Sequence, residues 1–195
     1  MPAAPSQVIR SGSTSTLISL ISPCARKGRG TAWGTAVHAA LEILVRESII
    51  KGASGANRDE GRVDIQQVVE ESALIAELNG AQKEALKETL EGVISSDFWQ
   101  KVKAGQGVMS EVPFGTWEDD TYSTGIVDLA FQEKGGWVLV DYKSDTIEND
   151  DRRQKLVEYY RPQLELYRSS WEAITGEKVV ECALFFTDQL YYAVL

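Results

Sequence analysis

The stretch Gly125-Ile-Val-Asp128-Leu-Ala-Phe-Gln-Glu-Lys-Gly135-Gly136-Trp-Val-Leu-Val-Asp141-Tyr-Lys143-Ser-Asp145 decides the fold of this chain. Two apolar runs flank a Gly-Gly turn, which is the pattern of a β-hairpin whose strands lie largely inside a core. Side chains alternate along a strand, so Asp141 and Lys143 share one face while Val138, Val140 and Tyr142 share the other. A turn centred between Lys134 and Gly135 sets Asp128 opposite Asp141. One centred between the two glycines sets it opposite Lys143, and a bulge shifts either register. Both registers gather two carboxylates and an ammonium on one face of apolar strands. Neighbouring carboxylates in such a setting are costly unless a cation lies between them. Hard oxygen donors with few Cys or His suit Mg²⁺ or Mn²⁺, and Lys143 alongside can orient or deprotonate a water or offset charge on a phosphate. The competing reading is an Asp–Lys salt bridge at a sheet edge.

Outward from the hairpin, Val108 to Trp117 and Tyr122 to Gln132 read as strands that precede Trp137 to Lys143 in a meander. Residues 150–175 return to helical spacing through Leu156, Tyr160, Leu164, Tyr167 and Trp171, and Pro162 is expected to kink or start this helix. Val179 to Phe186 and Leu190 to Val194 read as closing strands. Upstream, Val37, Leu41, Leu44, Val45 and Ile49 give a helix from Thr35 to Ile50, with Gly52 as its stop. Asp64 caps a second amphipathic run ending near Asn79-Gly80, and a third runs from Ala81 to about Val102. Helices, a meander, a helix and two strands predict an α/β (α+β) fold with an N-terminal helical half.

The 195 residues, 43% hydrophobic and 25% charged, suit one folded domain, and the net charge of -9 disfavours bulk attraction to nucleic acid or anionic membrane. The acids are uneven: residues 1–41 hold Arg10, Arg26, Lys27 and Arg29 and no Asp or Glu. This Ser-rich segment suits an organelle transit peptide or a linker from a longer chain, and the linker is the reading adopted. Residues 1–33 are therefore a leading segment or interdomain linker and 34–195 the folded domain. No apolar run is long enough for a membrane span, and Leu17 to Ile21 is a poor signal core. Cys24 and Cys182 are too few for a structural zinc or an iron–sulfur cluster and predict a reduced, cytoplasmic setting. Neither a phosphate-cradling G-x-x-x-x-G-K-[ST] nor a G-x-G-x-x-G is present.

The remaining chemistry-bearing residues are ambiguous one by one. His38, the single histidine, sits near a helix start among small neighbours, where a packed or capped role competes with ligation. Gln163 and Tyr167 are spaced i,i+4 and share a helix face, so both reach one ligand or divide between core and surface. Glu111, in Ser-Glu-Val-Pro-Phe, lies on a neighbouring strand.

Together they carry a resemblance. Gly34-Thr-Ala-Val-His38 with Leu41-Glu42, Glu111-Val-Pro-Phe114, Gly125-Ile-Val-Asp128, Val140-Asp141-Tyr-Lys143-Ser144-Asp145 and Gln163-Leu-Glu-Leu-Tyr167 resemble, in that order, the motifs of the RecB/AddA-type nuclease domain of the PD-(D/E)xK superfamily. The resemblance implies a restriction-endonuclease-like core, with a central mixed sheet of about five strands flanked by helices. It implies His38, Asp128 and Asp141 as ligands of Mg²⁺ or Mn²⁺, with the Tyr142 carbonyl as a further one. It makes Lys143 the catalytic lysine beside Asp128 and Asp141, Gln163 and Tyr167 contacts to DNA, and Glu111 a further carboxylate near the metal. The implied reaction is metal-assisted hydrolysis of DNA phosphodiesters, at single strands or ends, during double-strand-break processing. The implied partner is a helicase domain or subunit of a RecBCD/AddAB-like complex in the bacterial cytoplasm. Val127 stands where the superfamily name has Pro, and Ser144 stands where Thr is frequent, keeping the hydroxyl. The branch with a four-cysteine iron–sulfur cluster is excluded by the cysteine count. The alternative is a catalytically silent nuclease-like domain that binds DNA or protein.

Overall fold

The computed structural model describes residues 30–53, 63–118 and 121–195. The leading segment up to residue 29, with its apolar turn and Cys24, lies outside the described residues, as does most of the Gly-rich stretch after Gly52. The described elements are α1 (Gly30–Ala53), α2 (Ile65–Ala76), α3 (Gly80–Ser95), α4 (Asp97–Ala104), β1 (Gln106–Glu118), β2 (Thr121–Glu133), β3 (Gly136–Lys143), α5 (Asp150–Thr175), β4 (Val179–Phe186) and β5 (Tyr191–Val194). The strands form one sheet in the order β1-β2-β3-β4-β5. All neighbours are antiparallel except β3 and β4, which α5 connects in parallel. This is the mixed sheet of five strands the sequence predicts.

Two cores sandwich the sheet. On one face, α1 to α4 bury Val37, Leu41, Leu86, Leu90 and Phe98 against Leu129, Val138, Val140 and Tyr142. On the other, α5 buries Leu156, Tyr160, Leu164, Tyr167 and Trp171 against Leu139, Leu184 and Phe186. Each such large side chain contributes about 1.5–3 kcal/mol on burial, so the sheet is fixed from both sides. Among the described residues, no helix is long and apolar enough to cross a membrane.

The hairpin register is Leu129↔Val140 through Glu133↔Gly136, which centres the turn between Lys134 and Gly135. Gly136 fixes that choice, because at φ 154° any Cβ there would sit 2.2 Å from the Lys178 carbonyl oxygen, which accepts the Trp137 N–H at 2.8 Å.

Three helix expectations change. The run from Ala81 to Val102 is two helices, because the Ser96 side chain accepts the Trp99 N–H and starts a new one. The stripe of α1 extends back to Gly30 and past Gly52, and Ile49 is exposed. Helix α5 neither starts nor stops at Pro162: the Asn149 side chain caps it by accepting the Arg152 N–H, Asp150 and Asp151 suit its first turn, and Pro162 lies inside. A proline in mid-helix forfeits one hydrogen bond, a loss that the buried stripe of α5 outweighs.

Candidate active site

The site sits where the sheet forks. Pairing of β2 with β3 ends at Leu129↔Val140, whereas β1 stays with β2 out to Glu118↔Thr121 and β3 stays with β4 out to Lys143↔Phe186. A buried backbone N–H deprived of its ladder partner needs another acceptor. The Asp128 carboxylate supplies it, taking the Tyr142 N–H at 2.6 Å through Oδ2.

The strand pleat also slips here. Val108 packs on the α1–α4 side of the sheet, yet Val112, four residues on, packs on the α5 side, and Leu129 and Val127 divide in the same way. Regular alternation would keep each pair on one side. The slip falls at Glu111, whose φ of 50° is uncommon for a residue with a Cβ, and at Asp128, its neighbour across the flanking pairs Ser110↔Leu129 and Val112↔Val127. Both carboxylates come to lie beside His38 of α1. One ligand atom from each of His38, Glu111 and Asp128 lies within 4.8 Å of the others, and His38 Nδ1 is 3.4 Å from Asp128 Oδ1. A half-buried imidazole with two carboxylates, short of positive charge, fits a hard divalent cation.

On the α5 side of the fork the second carboxylate has a different environment. Asp141, 2% exposed, places Oδ2 2.5 Å from Lys143 Nζ. Its Oδ1 accepts from Gln163 Nε2 at 3.0 Å and from the Tyr167 hydroxyl at 3.1 Å. Lys143 donates in turn to Gln163 Oε1 at 3.1 Å, and its Nζ lies 4.0 Å from the centroid of the Tyr160 ring. The Tyr160 hydroxyl donates to Asp145 Oδ2 at 3.0 Å.

The electrostatics follow from burial among like charges. Burial drives the Asp141 carboxyl upward against the pull of Lys143, and Asp128 adds to the rise. Burial and the nearby Asp128 push Glu111 up to about 7, eased by His38. Burial works against the charged form of His38, but the Asp128 charge and hydrogen bond, with Asp141, outweigh it and raise the imidazole to about 9. Burial and then the two aspartates push the Tyr167 phenol up, so it remains a hydrogen-bond donor.

The structure therefore brings the sequence-derived residues together with one rearrangement. Asp128 turns toward α1, while Asp141 and Lys143 face α5, so the expected single face is two linked clusters. Gln163 and Tyr167 both grip Asp141. Glu111 joins His38 and Asp128. Tyr142 contributes its backbone N–H, and its ring lies in the core 5.9 Å from His38. Tyr160, which sequence reasoning left in the core stripe, and Asp145, to which it gave no role, are additional members. The available signal was spacing: Tyr160, Gln163 and Tyr167 fall at i, i+3 and i+7 on one helix face.

Helices on both faces of a mixed sheet, with acids and a lysine at a strand fork, define a nuclease of the restriction-endonuclease-like class. The chain belongs to the PD-(D/E)XK nuclease superfamily, whose family model matches residues 23–191. It is similar to the AddA-type ATP-dependent helicase/nuclease of Oceanobacillus iheyensis, at 24% identity over 174 residues, covering 80% of this chain and 13% of that protein. The protein of the same name from Thermoanaerobacter sp. is 27% identical over 174 residues with the same coverage. That of Bacillus cereus is 28% identical over 185 residues, again 80% of this chain and 13% of the relative. The chain thus spans about an eighth of the length of these curated relatives.

Proposed function

We propose that this chain is a divalent-metal-dependent nuclease that hydrolyses DNA phosphodiester bonds at single strands or ends. Its setting is double-strand-break processing in a bacterial cytoplasm, beside the helicase part or partner subunit of an AddAB-like complex. The observation that carries the reading is the convergence of His38, Glu111 and Asp128 beside the buried Asp141–Lys143 pair. Those three residues would hold Mg²⁺ or Mn²⁺, with Asp141 and the Tyr142 carbonyl as further ligands. When bound, the ion supplies Lewis acidity toward the scissile phosphate and lowers the pKa of water.

The chain's own groups account for the rest. Lys143, fixed by Asp141 and Gln163, directs its remaining N–H toward an attacking water or a phosphate oxygen, offsetting charge as it develops. Gln163 and Tyr167 hold Asp141 in one orientation and line the approach of the strand. A net charge of -9 gives little attraction for phosphate, which accords with delivery of DNA by a motor, the kind of activity named in the relatives.

Cleavage of end-labelled single-stranded DNA with and without Mg²⁺ or Mn²⁺ tests the proposal. Cleavage is expected only with the ion, and full activity in Asp141→Ala or Lys143→Ala would sink it. Ion binding measured by calorimetry without turnover in the wild type would favour the silent, DNA- or protein-binding alternative.

A further inference from the structure

An ammonium has three N–H donors, and in a site where it must face substrate its position is set by what holds the others. Lys143 is 6% exposed, with Asp141 Oδ2 at 2.5 Å and Gln163 Oε1 at 3.1 Å taking two directions. The Tyr160 ring, 4.0 Å from Nζ at its centroid, lies against the ammonium as well. Tyr160 is itself buried, at 3% exposure, and is anchored at both ends. Its hydroxyl donates to Asp145 Oδ2, two residues beyond Lys143 on the chain, and its ring meets Tyr159 edge-on with centroids 5.0 Å apart. A cation over an aromatic face is held most strongly where water is excluded, as it is here. Asp145 follows directly from the end of β3, so one short segment carries both the lysine and the acceptor that fixes the ring beneath it.

We propose that Tyr160, oriented by Asp145, is a positioning residue for Lys143, and that its ring rather than its hydroxyl does most of the work. The ring walls off the side of the ammonium away from Asp141 and keeps Nζ from swinging out of line with the scissile phosphate. This inference rests on the reading of Lys143 as a catalytic lysine.

The test combines turnover with a spectroscopic signature. In the wild-type chain with ¹³C-labelled lysine, the Lys143 ε-methylene protons are expected upfield of the other lysines because of the ring current. The shift persists in Tyr160→Phe and disappears in Tyr160→Leu; a Lys143 resonance among the other lysines in the wild type overturns the inference without any variant needing to fold. In Mn²⁺-dependent cleavage, Tyr160→Leu is expected to lower kcat about 10–100-fold with KM for DNA and Mn²⁺ affinity within about twofold, the size expected for a misplaced catalytic group. Tyr160→Phe is expected within about threefold of the wild type, since only the Asp145 hydrogen bond is lost. Equal losses in both variants, or full activity in Tyr160→Leu while Lys143→Ala is inactive, overturn the inference and leave the nuclease reading standing. Full activity in Lys143→Ala overturns both.

Discussion

Asp128 and Asp141 are buried aspartates on adjacent strands, one place beyond the last paired residues of β2 and β3, and their surroundings differ. Asp141 brings its own cation: Lys143, Gln163 and Tyr167 satisfy both of its oxygens. Asp128 has one oxygen on the Tyr142 N–H and the other beside His38, with the Glu111 carboxylate close by. The α5 side of the fork is thus complete in itself, and the α1 side is short of positive charge. A division of labour follows, in which the α5 side sets the geometry of a proton-bearing group and the α1 side takes up an ion. Removing one group from each side should break the comparison or sharpen it. Lys143→Ala is expected to lower cleavage by about 10³-fold, within the usual range for a positioned acid–base or electrostatic group, while Mn²⁺ affinity by calorimetry changes less than about threefold. Asp128→Ala is expected to weaken Mn²⁺ binding by about 100-fold, more than the loss of an outer partner of a ligand would cost. Should Lys143→Ala abolish Mn²⁺ binding, or Asp128→Ala leave it intact, the two sides do not divide as proposed.

The α1 side also predicts how ion binding depends on pH. Without an ion, Glu111 titrates near 7 and His38 near 9, both above their ordinary values. Each must lose its proton before it can ligate, so protons compete with the ion throughout this range. The sign is therefore fixed: Mn²⁺ affinity rises as pH rises from 6 to 8, by about tenfold for each proton displaced per pH unit. Glu111→Gln removes one of the two protons and should flatten the dependence. An affinity equal at pH 6 and pH 8 would contradict the assignment of both ligands. The same shifts predict that the ion-free chain loses stability as pH rises from the ordinary range of each group through its raised one, because the folded state favours the protonated forms. A thermal melt with Mn²⁺ should regain most at the alkaline end.

What could be read from sequence divides along the same line. Asp141 and Lys143 were legible because their relation is local: two residues apart in an apolar strand, they must share a side. Gln163 and Tyr167 were legible as a pair by helix spacing, though their common target was not. The α1 side depends on events no local pattern reports. Glu111 reaches the site through a pleat slip at its own left-handed φ, and His38 through the packing of α1 on the far side of the sheet. The hairpin allowed two registers because either glycine placement makes a sound turn, and what decides is the approach of Gly136 to Lys178, 42 residues away on the chain. The break at Ser96 was hidden for a related reason. Leu90, Val93, Phe98 and Val102 all feed one core, so the apolar pattern continued while the backbone restarted.

The smallest expected effect tests how far the α5 side's self-sufficiency extends. Tyr167 grips Asp141 from α5, and its ring is met edge-on by Phe114 of β1, with centroids 5.5 Å apart. Phe114 can lie there because Gly125, its partner across β1 and β2, has no side chain: a Cβ would fall 2.6 Å from Phe114 Cζ and 3.5 Å from Tyr167 Cε1. Gly125→Ala must therefore displace the half-buried Phe114 ring, and through it the phenol that holds Asp141 Oδ1. The displacement is passed through two aromatic contacts to a carboxylate that keeps its other partners, so the loss should be modest. Cleavage is expected to fall about three- to tenfold, less than the hundredfold a full 1 Å misplacement brings, with Mn²⁺ affinity unchanged. Restoring space with Phe114→Leu in the Gly125→Ala background should recover part of the loss if steric pressure is the cause. A double variant worse than either single one would instead mean that the Phe114 ring itself supports Tyr167, and that the α5 side depends on β1 as the α1 side does.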